Sequence, residues 1–368
     1  MSKKIQLDAP NVGVLEKKYL NRAIDSNYVS SVGPFITEFE NKFSAYLGVK
    51  RAVAIQSGTA ALYMSLYELG IGKGDEVIVP ALTFVATVNP IIYAGAKPVF
   101  VDVDLATWNI DTKKIAQVIT NKTKAIIPVH LYGNPCNMVE IMAIAKKYDL
   151  KVIEDATESL GARYKSQHTG TFGDFGCFSF NGNKIITTGG GGAIVGRNTK
   201  RLQHIKFLIN QAKDESKSRG CYHSEMGFNY RMTNIEAALG LAQMEKLNKF
   251  LDKKRLYNSI YRKKLRNITS IHFQEEYENA HSAYWLSCII FNRKINIPTL
   301  QSTLKAKGIP TRRIFIPLVE FPPYKKYKRT ECRNSYSIYE RGLCLPSSTL
   351  NSEDDIQYVC MTIRALTE

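Results

Sequence analysis

Ala125-Ile126-Ile127-Pro128-Val129, a helical stretch from Met138 to Tyr148, and Lys151-Val152-Ile153-Glu154-Asp155 are the residues that decide the fold. The two flanking runs are short, apolar and unalternated, as in strands buried on both faces of a parallel sheet. Between them Ile141, Ile144 and Ala145 fall at helical spacing. Strand, helix and strand in that order make a βαβ unit. The pattern extends upstream. Ala52-Val53-Ala54-Ile55, Glu76-Val77-Ile78-Val79 and Pro98-Val99-Phe100-Val101-Asp102 read as strands, and Thr59 to Glu68 and Thr87 to Tyr93 as helices. The sequence therefore predicts an α/β fold with a large, mostly parallel sheet.

The pattern changes after about residue 232. Thr233 to Phe250 reads as a long helix opened by a capping box, Thr233 with Glu236 three residues on. A second helix is expected over Lys253 to Leu265. Strand Trp285 to Phe291 and helices Pro298 to Lys307 and Glu353 to Leu366 complete a smaller α+β unit, with Pro322-Pro323 and the basic residues after it in a loop. Two domains are expected, residues 1–245 and 246–368. A length of 368 residues suits two.

Composition narrows the function. Hydrophobic residues are 44% and charged residues 23%, which excludes a wholly disordered chain. No apolar run approaches the ~20 residues of a membrane span, and the start has no apolar signal region. The seven cysteines are scattered without a CxxC pair, so neither a zinc site nor a disulfide framework is indicated, and a reducing, cytoplasmic setting is expected. The net charge is +17. It fits nucleic acid, a phosphorylated small molecule, or simply a lysine-rich solvated surface. Basic and aromatic residues are not interleaved for stacking in Lys253 to Leu265, where a solvated helix face is the reading.

Three local features carry chemistry. Gln56-Ser57-Gly58-Thr59-Ala60-Ala61-Leu62 follows a strand and opens a helix, where backbone N–H groups can cap the helix or meet a phosphate. Asp155 ends a buried strand, the place where open α/β sheets meet their ligands; it can also be an ordinary capping residue. Lys184 lies between Phe178-Ser179-Phe180 and the four glycines Gly189 to Gly192. A lysine is usually on the surface, but a partly buried one has its amine pushed toward the neutral, nucleophilic form.

Phosphate cup, carboxylate and lysine, in that chain order, are the parts of a pyridoxal phosphate site. The sequence resembles the DegT/DnrJ/EryC1/StrS sugar aminotransferases of the fold-type I class over nearly its whole length. The likeness runs through Tyr28-Val29-Ser30-Ser31-Val32-Gly33, Ser57-Gly58-Thr59-Ala60-Ala61-Leu62, Pro80-Ala81-Leu82-Thr83-Phe84 and Val129-His130-Leu131-Tyr132-Gly133. It continues in Glu154-Asp155-Ala156, Gly170-Thr171-Phe172-Gly173-Asp174, the Lys184 segment and Gly227-Phe228-Asn229-Tyr230-Arg231-Met232. It is strongest toward the branch aminating C4 of nucleotide-linked 4-keto-6-deoxy sugars, as in perosamine, viosamine, bacillosamine and legionaminic acid pathways.

The resemblance implies pyridoxal 5'-phosphate held on Lys184 as a Schiff base, with Asp155 pairing the ring nitrogen. It implies Phe84 stacking on the ring, Glu158 near its hydroxyl, and Gly58, Thr59 and Ser179 on the phosphate. Asn229 matches a residue that reaches the phosphate from a neighbouring subunit, which implies a homodimer with a composite site. The implied partners are a nucleotide-diphosphate sugar and L-glutamate, with no metal, nucleic acid or membrane. Arg231, Arg312 and Arg313 are candidate diphosphate partners or structural ion-pair residues. Two departures stand out. Gly190 occupies a place where many members have Glu, and Val319 and Glu320 follow Pro317-Leu318 where many have His. Amination at C3, a sugar dehydratase, and a non-catalytic sensor or regulator are the competing readings. Lys184 opposes the dehydratase, since dehydratases of this type carry His there.

Overall fold

The computed structural model describes residues 5–214, 221–292 and 295–367. Seven strands form the large sheet. Their order is Ala52–Ile55, Gly192–Gly196, Phe175–Ser179, Lys151–Asp155, Thr123–Ile126, Glu76–Pro80 and Lys97–Val101. Only Gly192–Gly196 runs against the others. The sheet is thus mixed and mostly parallel, as the unalternated apolar runs predict.

Register sends alternate side chains to two cores. Val53, Ile55, Val79, Ile153 and Cys177 pack with the Gly58–Glu68 and Thr199–Leu208 helices on one face. Ala52, Ala54, Phe178 and Val195 face the Pro34–Leu47 helix and a long helix, Asn234–Leu265, on the other. The Met138–Lys147 helix covers Ile126 and Val152 farther along the sheet.

The two helices expected over Thr233 to Leu265 are one. The residues between the two expected stretches, Leu251 and Asp252, are neither glycine nor proline, so nothing interrupts a helix of 32 residues, about 48 Å long. Its capping box forms: Thr233 Oγ1 accepts from the Glu236 N–H at 3.2 Å, and Glu236 Oε2 accepts from the Thr233 N–H at 2.7 Å. The division expected between residues 245 and 246 falls inside this helix. Ala237, Leu241 and Leu247 pack on the large sheet. Tyr257, Tyr261 and Leu265 pack on the smaller unit.

The smaller unit is an antiparallel sheet in the order Ile271–Phe273, Ser287–Phe291, Gly342–Leu345, Arg312–Arg313. Helices Ile297–Ala306 and Glu353–Thr367 cover it. The N-terminal segment joins this unit, with the Gln6 N–H donating to Asn351 Oδ1 at 2.9 Å. No helix among the described residues is long and apolar enough to cross a membrane.

Candidate active site

The carboxyl ends of the central strands and the Arg312–Arg313 edge of the small sheet enclose a cavity of about 310 Å³. Gly58, Thr59, Phe84, Asp155, Glu158, Ser179 and Lys184 all line it. Seven of the eight sequence-predicted residues therefore converge, although the chain separates them by up to 126 positions (184 − 58).

Asp155 ends its strand almost fully buried. Its Oδ1 accepts from the Thr157 N–H at 3.2 Å and the Thr157 hydroxyl at 2.7 Å. Its Oδ2 accepts from the Thr87 hydroxyl at 2.7 Å. That hydroxyl lies 2.9 Å from the hydroxyl of Thr83. Three donors fix the carboxylate's orientation. Its neighbour Glu154 points to the other side of the strand. There it accepts from the N–H groups of Gly170, Phe172 and Gly173 at 2.6 to 2.8 Å, and pairs with buried His130 at 3.1 Å. The His130 and Gly170–Gly173 motifs thus brace the Asp155 strand end.

Lys184 follows a turn closed by its own N–H on the Asn181 carbonyl at 2.9 Å. Its Nζ lies 3.9 Å from Glu158 Oε1 and 4.0 Å from the centroid of the Trp285 ring. Burial pushes the ammonium pKa down, against the opposing pull of Glu158 and Asp155. That direction favours a free amine. Burial also raises the Glu158 carboxyl, while Lys184 and the Tyr132 N–H, donating at 2.7 Å, draw it back. Tyr132 has φ of 55°, and its ring stacks between Trp285 and Phe315. Phe84 is half exposed, its ring centroid 5.7 Å from that of Phe315.

The glycine turn is a fitted cradle. Ser57 caps the Gly58–Glu68 helix, its Oγ accepting from the Ala60 N–H at 3.1 Å. A Cβ on Gly58 would stand 2.9 Å from Thr157 Cγ2 and 3.0 Å from Ser179 Cβ, so only glycine lets these three segments meet. Gly190 also lines the cavity, and a Cβ there would meet Glu236 Oε1 at 3.2 Å.

Asn229 is the exception. It is exposed and lies outside this cavity, where its Oδ1 accepts from Arg231 Nη2 at 3.1 Å. Arg231 also donates to Asn210 Oδ1 at 2.7 Å. Arg313 is turned away, donating to the Tyr339 carbonyl at 3.0 Å. Arg312 alone of the three candidate arginines lines the cavity. Val319 is buried among apolar residues and does not line it. The sequence reading assigns no role to Thr87, Thr157, Tyr132 or Trp285. Thr157 had a local signal, a hydroxyl two residues after an aspartate. Thr87 is 68 positions from Asp155 and had none.

The lining suits pyridoxal phosphate. It offers a lysine pushed toward the free amine, a carboxylate fixed by three donors, an exposed aromatic face, and a helix N-terminus whose Gly58 lets the Thr157 and Ser179 segments close against it. Among the described residues no group of three or more His, Cys, Asp or Glu side chains is placed to hold a metal ion.

Relatives carry the same scaffold. GDP-perosamine synthase of Escherichia coli O157:H7 is 42% identical over 362 residues, 98% of each chain. The UDP-N-acetyl-3-dehydro-alpha-D-glucosamine 3-aminotransferase of Acidithiobacillus ferrooxidans is 34% identical over 88% of this chain and 86% of its own. The Streptococcus pneumoniae protein Spr1654, assigned as a sugar aminotransferase and solved in its PLP form, superposes with a TM-score of 0.94 at 26% identity, covering 99% of both chains. The family model for the DegT/DnrJ/EryC1/StrS aminotransferases matches residues 10–364. With that match over nearly its whole length, the chain belongs to the DegT/DnrJ/EryC1/StrS aminotransferase family and is a pyridoxal-phosphate-dependent aminotransferase.

Proposed function

We propose that the protein transfers the amino group of L-glutamate to C4 of a nucleotide-linked 4-keto-6-deoxy sugar. The observation that carries this reading is the meeting of Lys184 and Asp155 in one cavity at the strand ends. The likeness to GDP-perosamine synthase favours C4, and the more distant C3 enzyme marks amination at C3 as the competing reading.

Lys184, Asp155, Phe84, Glu158, Gly58, Thr59 and Ser179 would hold the cofactor. Bound there, pyridoxal phosphate supplies an electron sink that acidifies the carbon carrying the amino group. The protein does the rest. Asp155, fixed by Thr87 and Thr157, would present negative charge to the ring nitrogen. Gly58 and Thr59 offer helix N-terminal N–H groups, and Ser179 its hydroxyl, to the phosphate. Phe84, lining the cavity with its ring half exposed, would cover one face of the ring. Lys184 Nζ would take the proton from the donor α-carbon and, in the second half-reaction, deliver one to the sugar carbon that gains the amine. Burial keeps that amine available. Glu158 stands 3.9 Å from Nζ, placed to hold the charge when the amine is protonated.

Asn229 lies outside this chain's own cavity, and a second copy would supply it, so the active form in this reading is a homodimer with shared sites. The reducing cytoplasm suits the seven free cysteines, six of them buried. The test is a screen of purified protein with L-glutamate against UDP-, GDP- and dTDP-linked 4-keto-6-deoxy and 3-keto sugars. Product NMR reads the position of the new amine. Turnover confined to 3-keto sugars refutes C4 amination, and no amino sugar from any of them refutes the sugar substrate.

A further inference from the structure

Cys288 and Cys344 are 56 positions apart in the chain and stand opposite each other on neighbouring antiparallel strands, Ser287–Phe291 and Gly342–Leu345. The Cys288 thiol donates to the Cys344 sulfur at 3.5 Å. The Cys344 thiol turns toward the Arg313 carbonyl at 3.9 Å, which leaves a sulfur lone pair facing Cys288. Their strand neighbours Ile289, Leu343 and Leu345 pack into the core of the small unit. The two cysteines face the other way. They enter the cluster that holds Tyr132, Ile314 and Trp285, the last a wall of the Lys184 cavity.

Other cysteines are partnered differently. Cys136 donates to the Val129 carbonyl at 3.1 Å and Cys332 to the Thr330 carbonyl at 3.3 Å. The Cys177 sulfur lies 3.3 Å from the Ser65 hydroxyl. Cys221 is exposed.

We propose that Cys288 and Cys344 form a reversible redox site, which a small peroxide closes to a disulfide. Directly opposed residues of an antiparallel pair have Cα atoms about 4.5 or 5.5 Å apart, inside the roughly 4.4–6.8 Å that disulfides span. The sulfurs close from 3.5 Å to about 2.05 Å, a distance that rotation about χ1 covers with both strands in place. One thiolate attacks a peroxide oxygen, the O–O bond breaks, and the sulfur becomes a sulfenic acid as water leaves. The second thiol attacks that sulfur, the S–S bond forms and a second water leaves. Two electrons pass from the sulfurs to the peroxide, and the two thiol protons end in water.

Burial, and then the neighbouring Cys344 sulfur, push the Cys288 thiol well above its usual range, so the resting pair is two thiols. Both side chains are buried, which bars bulky oxidants such as glutathione disulfide. Hydrogen peroxide is close to water in size and enters by local opening. A sulfenic acid formed at either sulfur has its resolving thiol already in contact, so oxidation stops at the disulfide. The site is independent of which sugar or amino donor the enzyme uses.

The experiment uses purified holoenzyme carrying Cys221→Ser, which removes the exposed thiol. It is treated with hydrogen peroxide, blocked with iodoacetamide in denaturant, and digested without reductant. The intact mass should fall by two hydrogens, the blockable thiol count should fall by two, and one peptide should join Cys288 to Cys344. Dithiothreitol should restore both thiols. Cys288→Ala and Cys344→Ala on the same background should form no intramolecular disulfide. The peptide map of the parent decides the matter even where an alanine variant fails to fold. Linkage between any other pair overturns the proposal, as does sulfinic acid on either cysteine without the linked peptide. So does an unchanged thiol count at peroxide levels that oxidise Cys221 in the unsubstituted protein.

Discussion

Replacing Asp155 with Asn separates the carboxylate's charge from its shape. Thr157 donates to Oδ1 through both its N–H and its hydroxyl, and a backbone N–H cannot reverse. The asparagine Oδ1 must therefore face Thr157, and Nδ2 must face Thr87. Thr87 can adapt, because its hydroxyl is 2.9 Å from that of Thr83 and can donate there while accepting from Nδ2. All three hydrogen bonds lose their charge assistance, partly offset because a neutral amide costs less to bury than a carboxylate, a net loss of about 1–2 kcal/mol of stability. The catalytic loss is larger. Two unit charges ~4 Å apart at an effective dielectric of 20 attract by about 4 kcal/mol. Asp155→Asn should then lower kcat/KM by about 10³-fold with the fold nearly unchanged. Steady-state kinetics and urea unfolding check the two halves. A loss under about tenfold, or ~1.4 kcal/mol, refutes Asp155 as the partner of the ring nitrogen. A stability loss above ~3 kcal/mol refutes the hydroxyl rearrangement.

If Asn229 acts across a dimer, mixing an inactive Lys184→Ala protein with an inactive Asn229 variant should restore activity, since some heterodimers regain one complete site. Absence of recovery, with subunit exchange verified by mass spectrometry, refutes a composite site. Raising salt should weaken sugar-nucleotide binding more than glutamate binding, because exposed Lys and Arg are screened within about 10 Å at 0.1 M; equal salt dependence of the two half-reactions would leave the +17 charge without a substrate role. Burial, and then Arg163 beside it, lower the His168 pKa from 6.5 to about 4. The unfolded chain takes up a proton below about 6.5 that the folded chain refuses until about 4, so stability should be full above 6.5 and decline between those values, by up to ~3 kcal/mol. His168→Gln should flatten that decline in urea melts at pH 5 and pH 7, and an identical slope in both proteins refutes the assignment.

The motifs fell within short windows, and so did the signals that reveal them. Apolar runs without alternation marked the parallel strands, and the Lys151–Asp155 strand appears with the expected bounds. The Thr233 capping box needed only four residues to be read. Helix continuity across residues 250–253 leaves little trace in the sequence, because the run Asp252-Lys253-Lys254-Arg255 interrupts the apolar stripe. The sequence reading contains no helix over Pro34–Leu47, although glycines flank it and its buried Phe35, Phe39 and Phe43 cover one face of the sheet.

What the sequence determined by itself is chemistry carried in local order: a glycine turn before a helix, an acid at a strand end, a lysine before a glycine run. Only tertiary structure decided which groups touch them. Thr87 reaches Asp155 across 68 positions, and Tyr132 turns its N–H onto Glu158 across 26. Lys184 and Arg312 meet on the indole of Trp285, which lies two residues before the Ser287–Phe291 strand of the small sheet, far along the chain from the strands that carry Asp155 and Ser179. Hydrogen bonds and charge contacts act over a few ångströms whatever the separation along the chain, so their partners are set by how the sheets pack and leave no periodic trace in the sequence.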